Sequence, residues 1–236
     1  IANGPGVRVS IFVSGCNHHC KGCFNEEAWD FNYGKKFDES TIDYIIDLLK
    51  PSYIAGLSIL GGEPLELSNQ QGLLPLVKKV KELYPDKTIW CYTGYDFERD
   101  VYGKMYKEYS YTKELLEGID IMVDGEFVEE KKLVDLKFRG STNQKKIDVQ
   151  ASLKQGSVVQ LKFGDESRYE DKKPKVIFIK DLKENEKEEV AGEEVIIPVA
   201  EQETDNIISI VPAFEIMPTE ERIAAEGLEN KDDNNL

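Results

Sequence analysis

Hydrophobic and polar positions alternate in two different periods along the first half of the chain. Val7–Val13 reads VRVSIFV, β-branched and aromatic residues in near alternation, which predicts a strand. Between Ser40 and Leu49 the apolar residues Ile42, Ile45, Ile46 and Leu49 fall at helical spacing, and Pro51 ends the run. Leu57–Leu60 is a short apolar run closed by Gly61-Gly62. Leu73, Leu76, Val77, Val80 and Leu83 form a second helical stripe, stopped at Pro85-Asp86. Thr88–Tyr92 and Ile119–Val123 predict two further strands, each ending in a glycine turn, Thr93-Gly94 and Asp124-Gly125. Strands separated by helices need crossover connections, so the pattern predicts an α/β fold with a mainly parallel sheet. In such sheets ligands collect at the carboxyl ends of the strands, which is where the unusual residues of this chain fall.

The pattern changes near Ala151. Residues 151–236 carry 21 acidic and 11 basic side chains, and they lack Cys, His and Trp. Val158–Phe163, Val176–Ile179, Val195–Val199 and Ile207–Val211 are candidate short strands, and Gly227–Leu236 has the composition of a disordered end. The expected organisation is a domain over residues 1–155 and an acidic extension over 156–236, β-rich or partly disordered. The whole chain of 236 residues has a formal charge of −15. That charge repels phosphate backbones and argues against nucleic-acid binding. No apolar run reaches the roughly 20 residues of a membrane helix, and no signal peptide is visible, so no membrane is expected and the expected location is cytoplasmic. The chain opens Ile1-Ala2-Asn3 without Met, which suggests missing native N-terminal residues.

Three of the four cysteines crowd into Gly15–Cys23 (GCNHHCKGC), with spacing C-x3-C-x2-C; Cys91 stands apart. Thiolates bind iron and zinc well, and a short loop can wrap its sulfurs round one centre. Three cysteines leave one iron of a four-iron cubane open to an outside ligand. The alternative is a structural zinc with His18 or His19 as fourth ligand. Closed zinc sites usually draw ligands from two separated knuckles, and no second knuckle follows here.

This C-x3-C-x2-C loop resembles the signature of radical S-adenosylmethionine enzymes. Further motifs narrow the resemblance to activases of glycyl-radical enzymes: Asn3-Gly4-Pro5-Gly6-Val7-Arg8, Phe12-Val13-Ser14-Gly15-Cys16, Ile59-Leu60-Gly61-Gly62-Glu63-Pro64, Trp90-Cys91-Tyr92-Thr93-Gly94-Tyr95, Asp124-Gly125-Glu126-Phe127 and Phe138-Arg139-Gly140-Ser141-Thr142-Asn143-Gln144. The last of these and the short length favour the small activases of anaerobic ribonucleoside-triphosphate reductase over those of pyruvate formate-lyase. The resemblance covers about residues 1–155; the acidic extension departs from it. It implies a partial (β/α) barrel, a 4Fe–4S cluster on Cys16, Cys20 and Cys23, and S-adenosyl-L-methionine on the open iron. It implies reductive cleavage of that cofactor to a 5′-deoxyadenosyl radical, which takes a hydrogen from a glycine of the large reductase subunit. It also implies a flavodoxin-like or ferredoxin-like electron donor. Cofactor-binding residues implied by the resemblance are Gly22, Cys23, Phe24, Gly61, Gly62, Glu63 and Thr93, with no catalytic residue beyond the cluster and cofactor.

Individual residues leave alternatives open. Glu63 is a solvated carboxylate or, through side chain or backbone, the seat of the cofactor's ammonium group. Phe24 is a core aromatic or a stacking surface for adenine. Arg8 is a surface cation or a bidentate partner for a carboxylate. His18 and His19 shape the loop or face solvent. Cys91, mid-strand, reads as a buried structural thiol. Tyr102, Tyr106, Tyr109 and Tyr111 read as packing residues.

Overall fold

The protein was analysed as a computed structural model that describes residues 3–162 and the two-residue strand Ser209–Ile210. Seven strands form one sheet: β1 (Val7–Val13), β2 (Lys35–Lys36), β3 (Ile54–Gly61), β4 (Thr88–Tyr92), β5 (Ile121–Asp124), β6 (Lys145–Asp148) and β7 (Ser209–Ile210), in the order β2-β7-β1-β3-β4-β5-β6. The four central strands β1, β3, β4 and β5 are mutually parallel, while β6, β7 and β2 join antiparallel at the edges. The predicted α/β class with a mainly parallel centre is therefore observed.

Helices make each crossover. α1 (Glu39–Leu49) joins β1 to β3 and is capped by Asp38, whose side chain accepts from Thr41 N–H. It buries Ile42, Ile45, Ile46 and Leu49, the predicted stripe. α2 (Leu67–Leu83) joins β3 to β4 and buries Leu73, Leu76, Val77 and Val80; Leu83, read as part of that stripe, is exposed because the helix ends there. Between β4 and β5 run a π-helical turn (Phe97–Met105), α3 (Tyr106–Glu108) and α4 (Ser110–Gly118); α5 (Val149–Gln155) follows β6.

The sheet has two unlike faces. Because side chains alternate along a strand, register alone sorts them. Val9, Ile11 and Val13 of β1 line up with Leu57 and Ile59 of β3, Ile89 and Cys91 of β4, Met122 of β5 and Ile147 of β6. All of these pack with the helices in one core. Cys91 is one link in that row, which explains a thiol in mid-strand. The other face carries Arg8, Ser10, Phe12, Ser58, Leu60, Trp90, Tyr92, Ile121 and Val123, and no helix among the described residues covers it. Part of that face is closed by Phe138 and Leu161, which pack on Trp90, Ile121 and Val123.

Of the predicted strand Val158–Phe163, the described residues to Lys162 make a single antiparallel bridge, Gln160 to Ile147, flanked by Asp148 N–H to Val159 O and Leu161 N–H to Lys146 O, and Phe163 lies outside the described residues. Of Ile207–Val211, Ser209–Ile210 is a strand. Val176–Ile179, Val195–Val199 and Gly227–Leu236 lie outside the described residues. No helix among the described residues is long and apolar enough to cross a membrane.

Leu57 is fully buried in the central strand pair. Leu57→Ala is expected to cost about 2–5 kcal/mol of unfolding free energy, as buried leucine truncations do. Guanidinium unfolding checks it, and a loss below about 1 kcal/mol would contradict the packing described.

Candidate cluster and cofactor site

The carboxyl ends of β1, β3, β4 and β5 meet at one edge, and each contributes a loop. After β1, Gly15 takes a positive φ of 88°, and a β-carbon there would lie 2.3 Å from the Phe31 ring. Gly15 N–H then bonds Ala28 O and Cys16 N–H bonds Trp29 O, closing the cysteine loop on itself. Inside that loop His19 (φ 51°) and Gly22 (φ 71°) turn the chain through left-handed conformations. Cys23 N–H bonds Cys20 O, and Asn25 N–H points at Cys23 Sγ at 3.4 Å.

The turn after β3 lies directly against this loop. Gly62 N–H donates to Val13 O at 2.7 Å and Glu63 N–H to Gly15 O at 2.8 Å. A β-carbon on Gly62 would sit 2.7 Å from Gly15 O and 2.8 Å from Ala28 O, and one on Gly61 2.5 Å from Val13 O. Both glycines are therefore dictated by close backbone approach.

Glu63 is wholly buried and surrounded by donors. Its Oε1 accepts from Leu65 N–H (2.8 Å) and Thr93 Oγ1 (2.7 Å), and its Oε2 from Gly94 N–H (2.7 Å). His18 Nε2 stands 3.1 Å from Oε2 as an ion pair, and His18 Nδ1 3.0 Å from Glu126 Oε1. Those carboxylates, Glu63 foremost, raise the His18 pKa to about 9 against the opposing effect of burial. The imidazole ring also meets Tyr95 edge-on at 4.6 Å and fills the space a side chain on Gly94 would need. A second carboxylate, Glu66, accepts from Asn17 Nδ2 and from Tyr95 Oη. Within α2, Asn69 Nδ2 donates to Ser14 O and Glu63 O. The cysteine loop is thus stitched to β3 and β4 through buried polar groups, and to the loop after β5 through Glu126.

All three loop cysteines are free thiols bordering one cavity of about 1190 Å³. Gly22, Phe24, Gly61, Gly62, Glu63 and Thr93 border the same cavity, so the structure gathers every site residue read from the sequence. Phe24, core or platform in the sequence, is 70% exposed at the opening. Burial raises the Cys16 pKa to about 11, and burial raises that of Cys20 as well. Metal binding at these sulfurs must displace protons. Among the described residues no three His, Cys, Asp or Glu side chains form a ready single-ion site.

Other candidates resolve into structural parts. Arg8 lies under the cavity. It donates to Ser58 Oγ (2.8 Å), Thr88 Oγ1 (2.9 Å), Leu57 O (2.7 Å) and Thr88 O (2.6 Å), with its guanidinium 5.8 Å from the Trp90 ring. Desolvation lowers its pKa to about 10. It is a buried staple between β3 and β4. Cys91 is sealed in the core, where burial holds its thiol protonated. Phe97, Tyr102 and Tyr106 pack successively, and Tyr109 stacks on Tyr111. Glu126 and Gly94 were not singled out as site residues from the sequence, since an acidic loop residue and a turn glycine carry no chemical signature there.

Free thiols on one loop, a glycine-lined wall and a roomy cavity at the strand ends are the parts of an iron–sulfur site. The chain belongs to the family described as 4Fe-4S single cluster domain, which it matches over residues 2–147. Over 146 residues it is 41% identical to the anaerobic ribonucleoside-triphosphate reductase-activating protein of Haemophilus influenzae, covering 61% of this chain and 89% of that protein. The proteins of the same name from Vibrio cholerae (42% over 147 residues, 61% and 89%) and Escherichia coli K12 (38% over 146 residues, 61% and 90%) are similar. No solved structure matches the chain.

The donors fit a cluster. Both nitrogens of His18 face carboxylates, and the His19 ring meets Trp29 edge-on at 4.7 Å. The three thiols are therefore side chains of the loop that fit an iron–sulfur cluster. Glu63→Gln would turn an amide N–H toward groups that already donate. It is expected to cost about 3–5 kcal/mol, the range for breaking a buried ion pair, seen in urea unfolding. Gly62→Ala, which drives a methyl into Gly15 O and Ala28 O, is expected to lower iron bound per chain after anaerobic reconstitution. Full iron loading in that variant would refute the close approach as the reason for Gly62.

Proposed function

We propose that this chain activates anaerobic ribonucleoside-triphosphate reductase by generating a glycyl radical on its large subunit. The observation that carries this reading is the shared cavity of Cys16, Cys20 and Cys23 with Gly61, Gly62 and Thr93, in a chain about 40% identical to activating proteins of that reductase. The 4Fe–4S cluster and S-adenosyl-L-methionine, when bound, supply reductive cleavage to methionine and a 5′-deoxyadenosyl radical able to take a hydrogen from glycine.

The chain's own residues position and shield. Cys16, Cys20 and Cys23 bind three irons and leave one for the cofactor. The Gly61-Gly62 turn lets the cofactor approach the backbone, and Gly22 and Phe24 border its adenine end. Glu63 acts mainly as an anchor, since its carboxylate is occupied by Leu65, Thr93, Gly94 and His18. The cavity exceeds the roughly 300–1,000 Å³ of ordinary small-molecule pockets, which leaves room for a cofactor and part of a polypeptide.

A parallel sheet with helices on one face and the site on the other supports a partial (β/α) barrel of the radical S-adenosylmethionine type. Residues 1–155 form the activase unit in this reading. Residues 156–236 are an acidic extension whose first residues, to Lys162, pack on that unit. The electron donor is a flavodoxin-like or ferredoxin-like protein, the location cytoplasmic, and neither nucleic acid nor membrane takes part.

Anaerobic protein reconstituted with iron and sulfide, reduced and mixed with the reductase and S-adenosyl-L-methionine, is expected to give a glycyl signal in electron spin resonance. Cys20→Ala is expected to abolish it, and a persisting signal would reject the mechanism. Ending the chain after Lys162 is expected to leave iron content per chain unchanged.

A further inference from the structure

The segment Phe138 to Gln144 stands out in the sequence, yet cluster and cofactor chemistry gives most of it no role. In the fold it closes the base of the long excursion between β5 and β6. Gln144 Oε1 accepts from Gly140 N–H (2.8 Å) and Ser141 N–H (3.1 Å), while its Nε2 donates to Gly125 O (2.9 Å). Arg139 Nη1 donates to Gln144 O, Asn143 Nδ2 to Glu126 O and Thr142 N–H to Lys131 O. Phe138, at φ 60°, plugs against Trp90. The base is pinned by side chains, Lys132 bridges Ser141 and Leu133 N–H reaches Gly140 O at 3.4 Å, so Val134 and Asp135 stand at the turn beyond.

That tip has an unusual surface. Leu133 is 50% and Val134 90% exposed. Between Lys131 and Leu136 stand two cations, Lys131 and Lys132, and one acid, Asp135, in a chain of net charge −15. Exposed apolar residues scattered singly need no explanation. Val134 borders the cavity, as does the exposed Phe24 of the cysteine loop, and Leu133 is its neighbour in the chain. Lys21 of that loop pairs with Glu129 (3.1 Å) and Glu130 (3.4 Å) next to the tip, so loop and excursion meet.

We propose that the Lys131–Leu136 tip is a docking arm for the glycine-bearing segment of the protein substrate. Its occupant is an acidic stretch of the partner with at least one apolar side chain, guided by the basic residues and seated on Leu133 and Val134. This rests on the activase reading above. A protein substrate must reach the thiol-lined cavity through its opening, and the arm presents two adjacent lysines and two exposed apolar side chains beside it. Charge of opposite sign steers and selects such a partner.

The test uses the full reconstituted chain with Lys131→Glu, Leu133→Asp and the double variant; both residues are exposed and neither borders the cavity. Three quantities are measured: dithionite-driven release of 5′-deoxyadenosine without partner, affinity for the anaerobic reductase at two salt concentrations, and glycyl radical yield. The double variant is expected to keep partner-free cleavage while its Kd weakens by about tenfold or more. Added salt is expected to weaken wild-type binding more steeply than the variant's. Unchanged affinity and salt dependence would overturn the arm, and so would a parallel loss of cleavage. A wild-type protein that neither cleaves the cofactor nor binds the reductase would overturn the activase reading, and the arm with it.

Discussion

A carboxylate removed from water must find donors, and Glu63 finds them on three different segments of chain. Leu65 lies on its own turn, Thr93 and Gly94 follow β4, and His18 belongs to the cysteine loop. A buried anion without such partners is costly, so each of these segments is held wherever Glu63 needs it. The cysteine loop has little regular structure of its own. Its placement depends on this one group, on Glu63 N–H to Gly15 O, and on the Asn69 amide beneath.

The second constraint is the division of the sheet into two faces. Residues at alternate positions of β1, β3, β4 and β5 satisfy the helices on one side. The intervening positions lie on the face that holds the cavity, which no helix among the described residues covers. Polar side chains on that side, Arg8, Ser10 and Ser58, would be errors in an ordinary core. Here Arg8 donates to Ser58 and to backbone carbonyls, Ser58 donates to Asn3 O, Ser10 accepts from the Asn3 amide, and the open space above them is available for ligands.

The central strands were legible because they are rich in β-branched and aromatic residues and their ends are marked by glycine turns; Val7–Val13 and Thr88–Tyr92 match the structure residue for residue. The cysteine loop was legible because its spacing has few other uses. β6 was not: Lys145-Lys146-Ile147-Asp148 has one apolar residue, and its pairing is supplied by β5. Arg8 was ambiguous because a sequence shows a cation but not the four acceptors waiting for it. The His18 bridge escaped for a similar reason, since its two carboxylates come from positions 45 and 108 residues away.

Burial has one more effect on the sulfurs. With their pKa values raised, Cys16 and Cys20 are kept mainly in the thiol form at neutral pH. Thiolate, not thiol, is the form that reacts with oxidants. Cys16 and Cys20 are therefore held in the form that oxidants attack slowly, although both border the open cavity.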